Sequence, residues 1–277
     1  MLIDLLFHPD YTNKEKLLFV LFFLGMADRF QLAETMNCSV HNIDRMIKAW
    51  NHKLPPANRY ILARRPARNR PRMYYLGPRG WAQVMEWLEE NKQYYGKKKK
   101  TAGHYRGINE IFLRLVRRIG YDQLKERLIW YSSQEAREIM IYPWSLARAE
   151  EWKDPKVKEE EQQLITRPDA RAVIDGRGFW IEYDNGTKRE APIKEQFRRY
   201  IESLSYLPSY TNIRNPVIWV VPDEKRKRQM KEWWSTVKYE PKYEELNWIP
   251  EMHFFVSGEE TDFLLEESVQ QSVSSAG

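Results

Sequence analysis

The sequence predicts a two-domain α+β protein: an N-terminal winged helix-turn-helix over residues 1–92, a basic linker over 93–103 and a C-terminal α/β domain over 104–257, followed by a disordered tail over 258–277. Three observations predict it. Short capped helical segments precede two β-like segments that flank an arginine-rich loop. A block of four lysines at 97–100, bounded by Gly96 and Gly103, interrupts the pattern as a boundary does. Beyond it, helical segments alternate with strand-like ones, among them the near-continuous apolar run PVIWVV at 216–221 that suits the middle of a covered sheet.

Composition narrows the classes of function. A chain of 277 residues, 42% hydrophobic and 30% charged, is globular and long enough for one large domain or two ordinary ones. The single Cys38 excludes an intramolecular disulfide and a cysteine metal cluster, and points to a reducing, cytoplasmic compartment. The longest apolar run, 17–24, is far short of the ~20 residues of a membrane span, and no signal-like start precedes it. There is no Walker loop and no glycine-rich nucleotide fingerprint, and the five histidines are too scattered for a histidine-pair relaxase site. Net charge is +6, yet residues 45–85 carry ten Lys or Arg and no Asp or Glu, which leaves the remainder net acidic. Charge of one sign concentrated in this way suits a polyanionic partner, nucleic acid first and an acidic membrane second. No helix with matching basic and apolar faces adjoins the block, so a membrane is the weaker choice.

In chain order, residues 1–11 are a lead-in without an evident role, and 14–24 form a buried helix capped by Thr12 or Asn13 and ended by Gly25. Asp28 caps a helix over 29–36, with Gln31 completing a capping box, and Ser39 caps a third over 40–51. On the third, Val40, Ile43, Ile47 and Trp50 share the inward face, while His41, Asn42, Asp44, Arg45 and Lys48 share the outward one. Two short helices with a tight turn, the second polar outside, outline a helix-turn-helix. Residues 60–62 and 73–76 then form a hairpin wing whose loop carries Arg64, Arg65, Arg68, Arg70 and Arg72. Pro78 opens a fourth helix to residue 90. The wing arginines would contact phosphates of double-stranded DNA, and His41, Asn42, Arg45 and Lys48 would supply whatever base reading occurs. The competing assignment is a helical domain with a solvated charge run.

In the second half, 104–119 is an amphipathic helix, and 121–140 is mixed, with a strand expected near 139–141. Residues 150–163 are an exposed helix or loop, 192–204 and 225–237 are helices, and 253–256 is a last strand. Between them lies RPDARAVIDGRGFWIEYDNGTK, 167–188, a hairpin around Gly176-Arg177. In that register Asp169 faces Asp184, Arg171 faces Glu182, and Ala170, Ala172, Ile174, Phe179, Ile181 and Tyr183 share the apolar face. Three carboxylates, Asp169, Glu182 and Asp184, then crowd one end of the hairpin. Either a hard cation such as Mg²⁺ sits among them, or Asp169 is a turn residue and Arg171 simply pairs with Glu182.

This hairpin, followed by the helix containing KEQFRRY (194–200), resembles the replication-relaxation family of plasmids and other mobile elements, and the related relaxases of the C mobilisation class. That family has an "RPD" strand, an "E-x-D-x-G-T" strand and a basic helix ending in "R-R/K-Y" behind a winged helix. The resemblance implies the α/β fold of PD-(D/E)XK restriction-endonuclease-like nucleases, with Asp169 and Glu182 as metal carboxylates. Asp184 stands where the nuclease motif has lysine, a departure the family shares. Lys194 is then the substitute cation, with Lys188 a weaker candidate and Arg198 another positive neighbour. The implied chemistry is Mg²⁺- or Mn²⁺-assisted phosphodiester cleavage at a plasmid or mobile-element origin, using Asp169, Glu182, Asp184 and Lys194. Tyr200 is either a nucleophile or a half-buried aromatic beside Phe197, and His104 and Glu110 are either near the site or on a helix surface. A non-catalytic replication or transcription regulator with a degenerate nuclease fold is the other outcome. Winged-helix proteins often pair as homodimers, and no heptad here decides that point.

Overall fold

The computed structural model describes residues 1–92, 94, 101–205 and 213–274, with side chains as far as Ser268. Most of the expected linker, including lysines 97–100, lies outside the described residues. The chain is mixed α+β, with twelve α-helices and two sheets among those residues. None of these helices is long and apolar enough to cross a membrane. The chain divides into two compact units, residues 1–130 and 131–277.

The first unit is built from local signals that work as expected. A short α1 (Leu2–Phe7), not foreseen, buries Leu2, Ile3 and Leu6. Thr12 and Glu15 form a capping box at the start of α2 (Asn13–Leu24). Asp28, at the end of β1 (Ala27–Asp28), caps α3 (Arg29–Thr35) in a second capping box with Gln31. Ser39 caps α4 (Val40–Trp50), whose Ile43 is buried. β2 (Ile61–Arg64) and β3 (Met73–Leu76) pair antiparallel, and β1 adds to the other edge of β3. α5 (Pro78–Trp87) follows, starting so close to β2 that a Cβ on Gly80 would stand 2.2 Å from the Tyr60 carbonyl oxygen. Only glycine permits that approach.

The expected boundary near 103 is displaced. Helix α6 (Ala102–Ile119), assigned by sequence to the second domain, belongs to the first unit together with α7 (Leu124–Arg127). Its polar face supplies the reason: Asn109 Nδ2 donates to the Met26 carbonyl at 2.8 Å, and Gln31 Nε2 donates to the Arg106 carbonyl at 3.0 Å. Arg106 also pairs with the buried cap residue Asp28 at 3.2 Å, and Arg117 with Glu34. Amphipathic periodicity shows that a helix has an inner face; it does not show against which unit that face packs.

The second unit holds a five-stranded sheet in the order β4-β5-β6-β7-β8, the unit boundary falling inside β4 (Leu128–Ser132). β5 (Ala170–Ile174) and β6 (Arg177–Tyr183) are antiparallel, whereas β6, β7 (Val217–Val221) and β8 (Met252–Val256) run parallel. Crossover helices α10 (Glu190–Ser205) and α11 (Glu224–Lys238) link the parallel strands. They cover one face, packing Phe197, Tyr200, Ile201, Met230 and Trp234 against Trp180, Trp219 and Phe254. β7 is buried along its whole length, as its apolar run requires.

Three expectations fail here. The strand placed at 139–141 lies inside α8 (Ser133–Ala147), and the strand is β4, just upstream. A capping box between Ser132 and Glu135 starts the helix before the Ile139 segment is reached. The hairpin closes through Asp175-Gly176, both with positive φ (47° and 87°), as a two-residue turn prefers, and not through Gly176-Arg177. Finally, the tail is not disordered as far as it is described: α12 (Glu260–Ser274) packs on β5, β6 and β8. Leu264 is buried, the Phe263 ring packs tilted against His253 and Phe255, and Arg177 pairs with Glu267. A few apolar residues at the start of α12 seat a helix whose later composition is polar.

Candidate functional site

The corrected register changes which carboxylates meet. Residues 170 and 181 are partners, so Asp169 stands across from Glu182 and not from Asp184. The Asp169 amide donates to the Ile181 carbonyl at 3.1 Å, and Asp169 Oδ2 accepts the Tyr183 amide at 2.9 Å, which fixes its carboxylate against β6. A slip of two residues keeps every side chain on its face, because strands alternate with a period of two. The apolar set therefore survives, and Arg171 meets Trp180 in place of Glu182, its guanidinium 5.2 Å from the indole. The simple Arg171–Glu182 pair is not formed.

Glu182 shares its face of β6 with Trp180 and Asp184, beneath α10, and is 1% exposed. Its Oε1 accepts the Tyr200 hydroxyl at 2.7 Å, while the Thr166 hydroxyl bonds to Tyr200 and the other side of Glu182 bonds to Asp169. Burial, then the Asp169 charge, hold the Glu182 carboxyl well above the usual carboxylate range; Lys188 and the Tyr200 hydroxyl oppose this. The result is a chain of hydrogen bonds, Thr166 to Tyr200 to Glu182 to Asp169.

Tyr200 is fully buried, not half-buried, and its phenol is pushed well up by burial and by Glu182. It is a hydrogen-bond donor there and a poor nucleophile. Asp184 turns elsewhere: its Oδ2 accepts Arg226 Nε at 2.6 Å, and Arg226 also donates to the Lys188 carbonyl at 2.7 Å. The expected three-carboxylate cluster is thus reduced to a pair, and no group of three or more His, Cys, Asp or Glu is placed to hold a metal among the described residues. Lys194, the stronger cation candidate, pairs with Glu190 on its own helix at 2.7 Å. Lys188, the weaker candidate, is the lysine whose charge acts on Glu182. Arg198 forms a two-point bond with Glu240, and Glu110 binds Arg117 on α6 of the first unit, which also carries His104.

Sequence reasoning missed Thr166 and Arg226. Thr166 lies three residues before Asp169 and carried no motif signal. Arg226 lies 42 residues beyond Asp184, in the first turn of a lysine- and arginine-rich helix.

Two features fit a divalent ion: the adjacent carboxyls of Asp169 and Glu182, and Asp184 Oδ1, which is buried without a hydrogen-bond partner. Hard oxygen donors of this number suit Mg²⁺ or Mn²⁺, which take one or two protein carboxylates and fill the rest with water and phosphate.

The first unit presents a second candidate surface. His41, Arg45 and Lys48 on α4 are exposed, with Asn42 half-buried beside the Ser39 cap. In the β2–β3 loop Arg65, Arg68, Arg70 and Arg72 are exposed, whereas Arg64 is half-buried over the Tyr75 ring. A groove of about 630 Å³ runs between α4 and this hairpin, lined by Lys48, Asn51, Arg59, Arg65 and Arg72 among others, with Asp44 its one acid.

Fold and site together define a two-unit α+β protein with an arginine-rich surface on one unit and, in the other, a buried glutamate bonded to a half-buried aspartate. The chain belongs to the replication-relaxation family, whose model matches residues 26–216, from the end of α2 to the entry of β7, and so includes both surfaces. No curated protein and no solved structure matches it.

Proposed function

We propose that this is a DNA-processing protein of plasmid or mobile-element replication, acting in the cytoplasm. In this proposal the first unit is a winged helix that binds an origin-like site in double-stranded DNA. The second is a PD-(D/E)XK-like nuclease domain, akin to the relaxases of the C mobilisation class, that nicks the site. The observation that carries it is the Asp169–Glu182 carboxyl pair in a chain whose other unit bears an acid-free arginine hairpin. Asp169, clamped by the Tyr183 amide, and Glu182 would hold Mg²⁺ or Mn²⁺, which when bound acidifies water and offsets phosphate charge. Tyr200 orients Glu182 through its hydroxyl. Lys188, tied through its carbonyl to Arg226, would face the charge that develops on phosphate.

Two observations favour a second reading, a DNA-binding regulator without catalysis. Asp184 occupies the nuclease lysine position and is committed to Arg226, and Lys194 is committed to Glu190. Supercoiled plasmid carrying the origin, incubated with Mg²⁺ or Mn²⁺, decides between the two. Conversion to open circles, abolished in Asp169→Ala and in Glu182→Ala, is the expected result. Binding that persists in EDTA, with no cleavage under any metal, leaves the regulator.

A further inference from the structure

We propose that a pocket between the start of α3 and the base of the β2–β3 loop binds one unpaired nucleotide, its base stacked on Phe30 and its phosphate held by Arg65 and Arg72. This rests on the reading of the first unit as a DNA-binding module. Phe30 lines this pocket. The next three residues of α3, Gln31, Leu32 and Ala33, are buried, yet Phe30 is 56% exposed. A phenyl ring left in water on a helix whose inner face is already complete contributes little to the core.

Its surroundings are specific. A pocket of about 300 Å³ is lined by Arg29, Phe30, Arg65, Pro71, Arg72 and Tyr74. That volume lies at the small end of ligand sites. Every one of these residues is cationic, aromatic or proline; none is acidic. The Arg29 guanidinium lies 5.1 Å from the centre of the Phe30 ring and is partly neutralised by Asp44 at 3.4 Å. Arg65 and Arg72 are exposed and have no ion-pair partner among the described residues. A flat aromatic wall next to two uncompensated guanidiniums is complementary to a nucleobase joined to a phosphate. The base has to be unpaired, since a base inside a duplex is already stacked on both faces and offers none to Phe30. The same two arginines also line the groove beside α4, so the pocket adjoins the proposed duplex-binding surface.

The test is equilibrium binding at one fixed salt concentration, with a blunt duplex and with the same duplex carrying a short single-stranded extension that contains 2-aminopurine. The full-length protein is expected to bind the extended probe about tenfold more tightly than the blunt one, and to quench the 2-aminopurine. Phe30→Ala should abolish both effects while leaving the blunt-duplex affinity unchanged; Phe30→Trp should retain them. An advantage for the extended probe that survives in Phe30→Ala, or equal binding of the two probes by the wild type, overturns the pocket alone. Binding of neither probe overturns the DNA-binding reading and the pocket with it.

Discussion

Glu182 is a carboxyl group with almost no access to water, hydrogen-bonded to a tyrosine on one side and to another carboxyl on the other. Its raised pKa has a consequence for stability whose sign is fixed. Between the ordinary carboxylate pKa and the higher folded value, the native state binds a proton that the unfolded chain has released. Unfolding free energy therefore falls as pH rises through that window. The stabilisation is fully present below about pH 4.3, where both states are protonated, and is lost by the time the folded group ionises. Thermal melts in EDTA should show the wild type losing stability as pH rises above the ordinary carboxylate range. Glu182→Gln should flatten this part of the profile and melt higher than wild type at its upper end. Equal slopes in the two proteins would mean that Glu182 is not held neutral. Asp169 and Glu182 were legible as a pair of acids because a strand displays alternate residues on one face; that they touch was not, because contact depends on register.

At the scale of elements, the join between α11 and the loop after β6 rests on one guanidinium. Arg226 is held at its own amide by the Asp223 cap, bonds Asp184 and the Lys188 carbonyl, and lies over Trp233. Removing it leaves the buried Asp184 without its guanidinium partner. Arg226→Met should lower the unfolding free energy by about 3–5 kcal/mol in urea titrations, and adding Asp184→Asn should recover part of the loss. Additive losses in the double variant would show the two groups to be uncoupled. Capped helices were readable to within a residue or two, since a cap is a contact between residues three apart. The hairpin turn was misplaced by one residue because Asp175-Gly176 and Gly176-Arg177 both contain the glycine. Positive φ at both turn positions favours the former.

For the molecule as a whole, the decisive feature is the distribution of charge between its units. Ten cationic residues without an acid in 45–85 occupy α4, the segment after it, the hairpin and the start of α5. If the hairpin loop contacts phosphates, reversing Arg68 and Arg70 to Glu should weaken duplex binding and reduce the slope of log affinity against log salt by about 2. An unchanged slope would assign these arginines to the solvent.

What the sequence determined by itself was whatever depends on near neighbours: the capped helices of the first unit, the exposed side of α4, the arginine loop, the buried run of β7 and the face on which Asp169 and Glu182 stand. These follow from helical and strand periodicity and from groups a few residues apart, which no later folding step rearranges. Tertiary structure decided whatever joins distant segments: α6 to the first unit, α12 to the sheet, Asp184 to Arg226, Lys188 in place of Lys194 beside Glu182, and Phe30 to the arginines of the loop. Each of these contacts is chosen by packing among many chemically equivalent partners, and so composition and spacing carry no record of the choice.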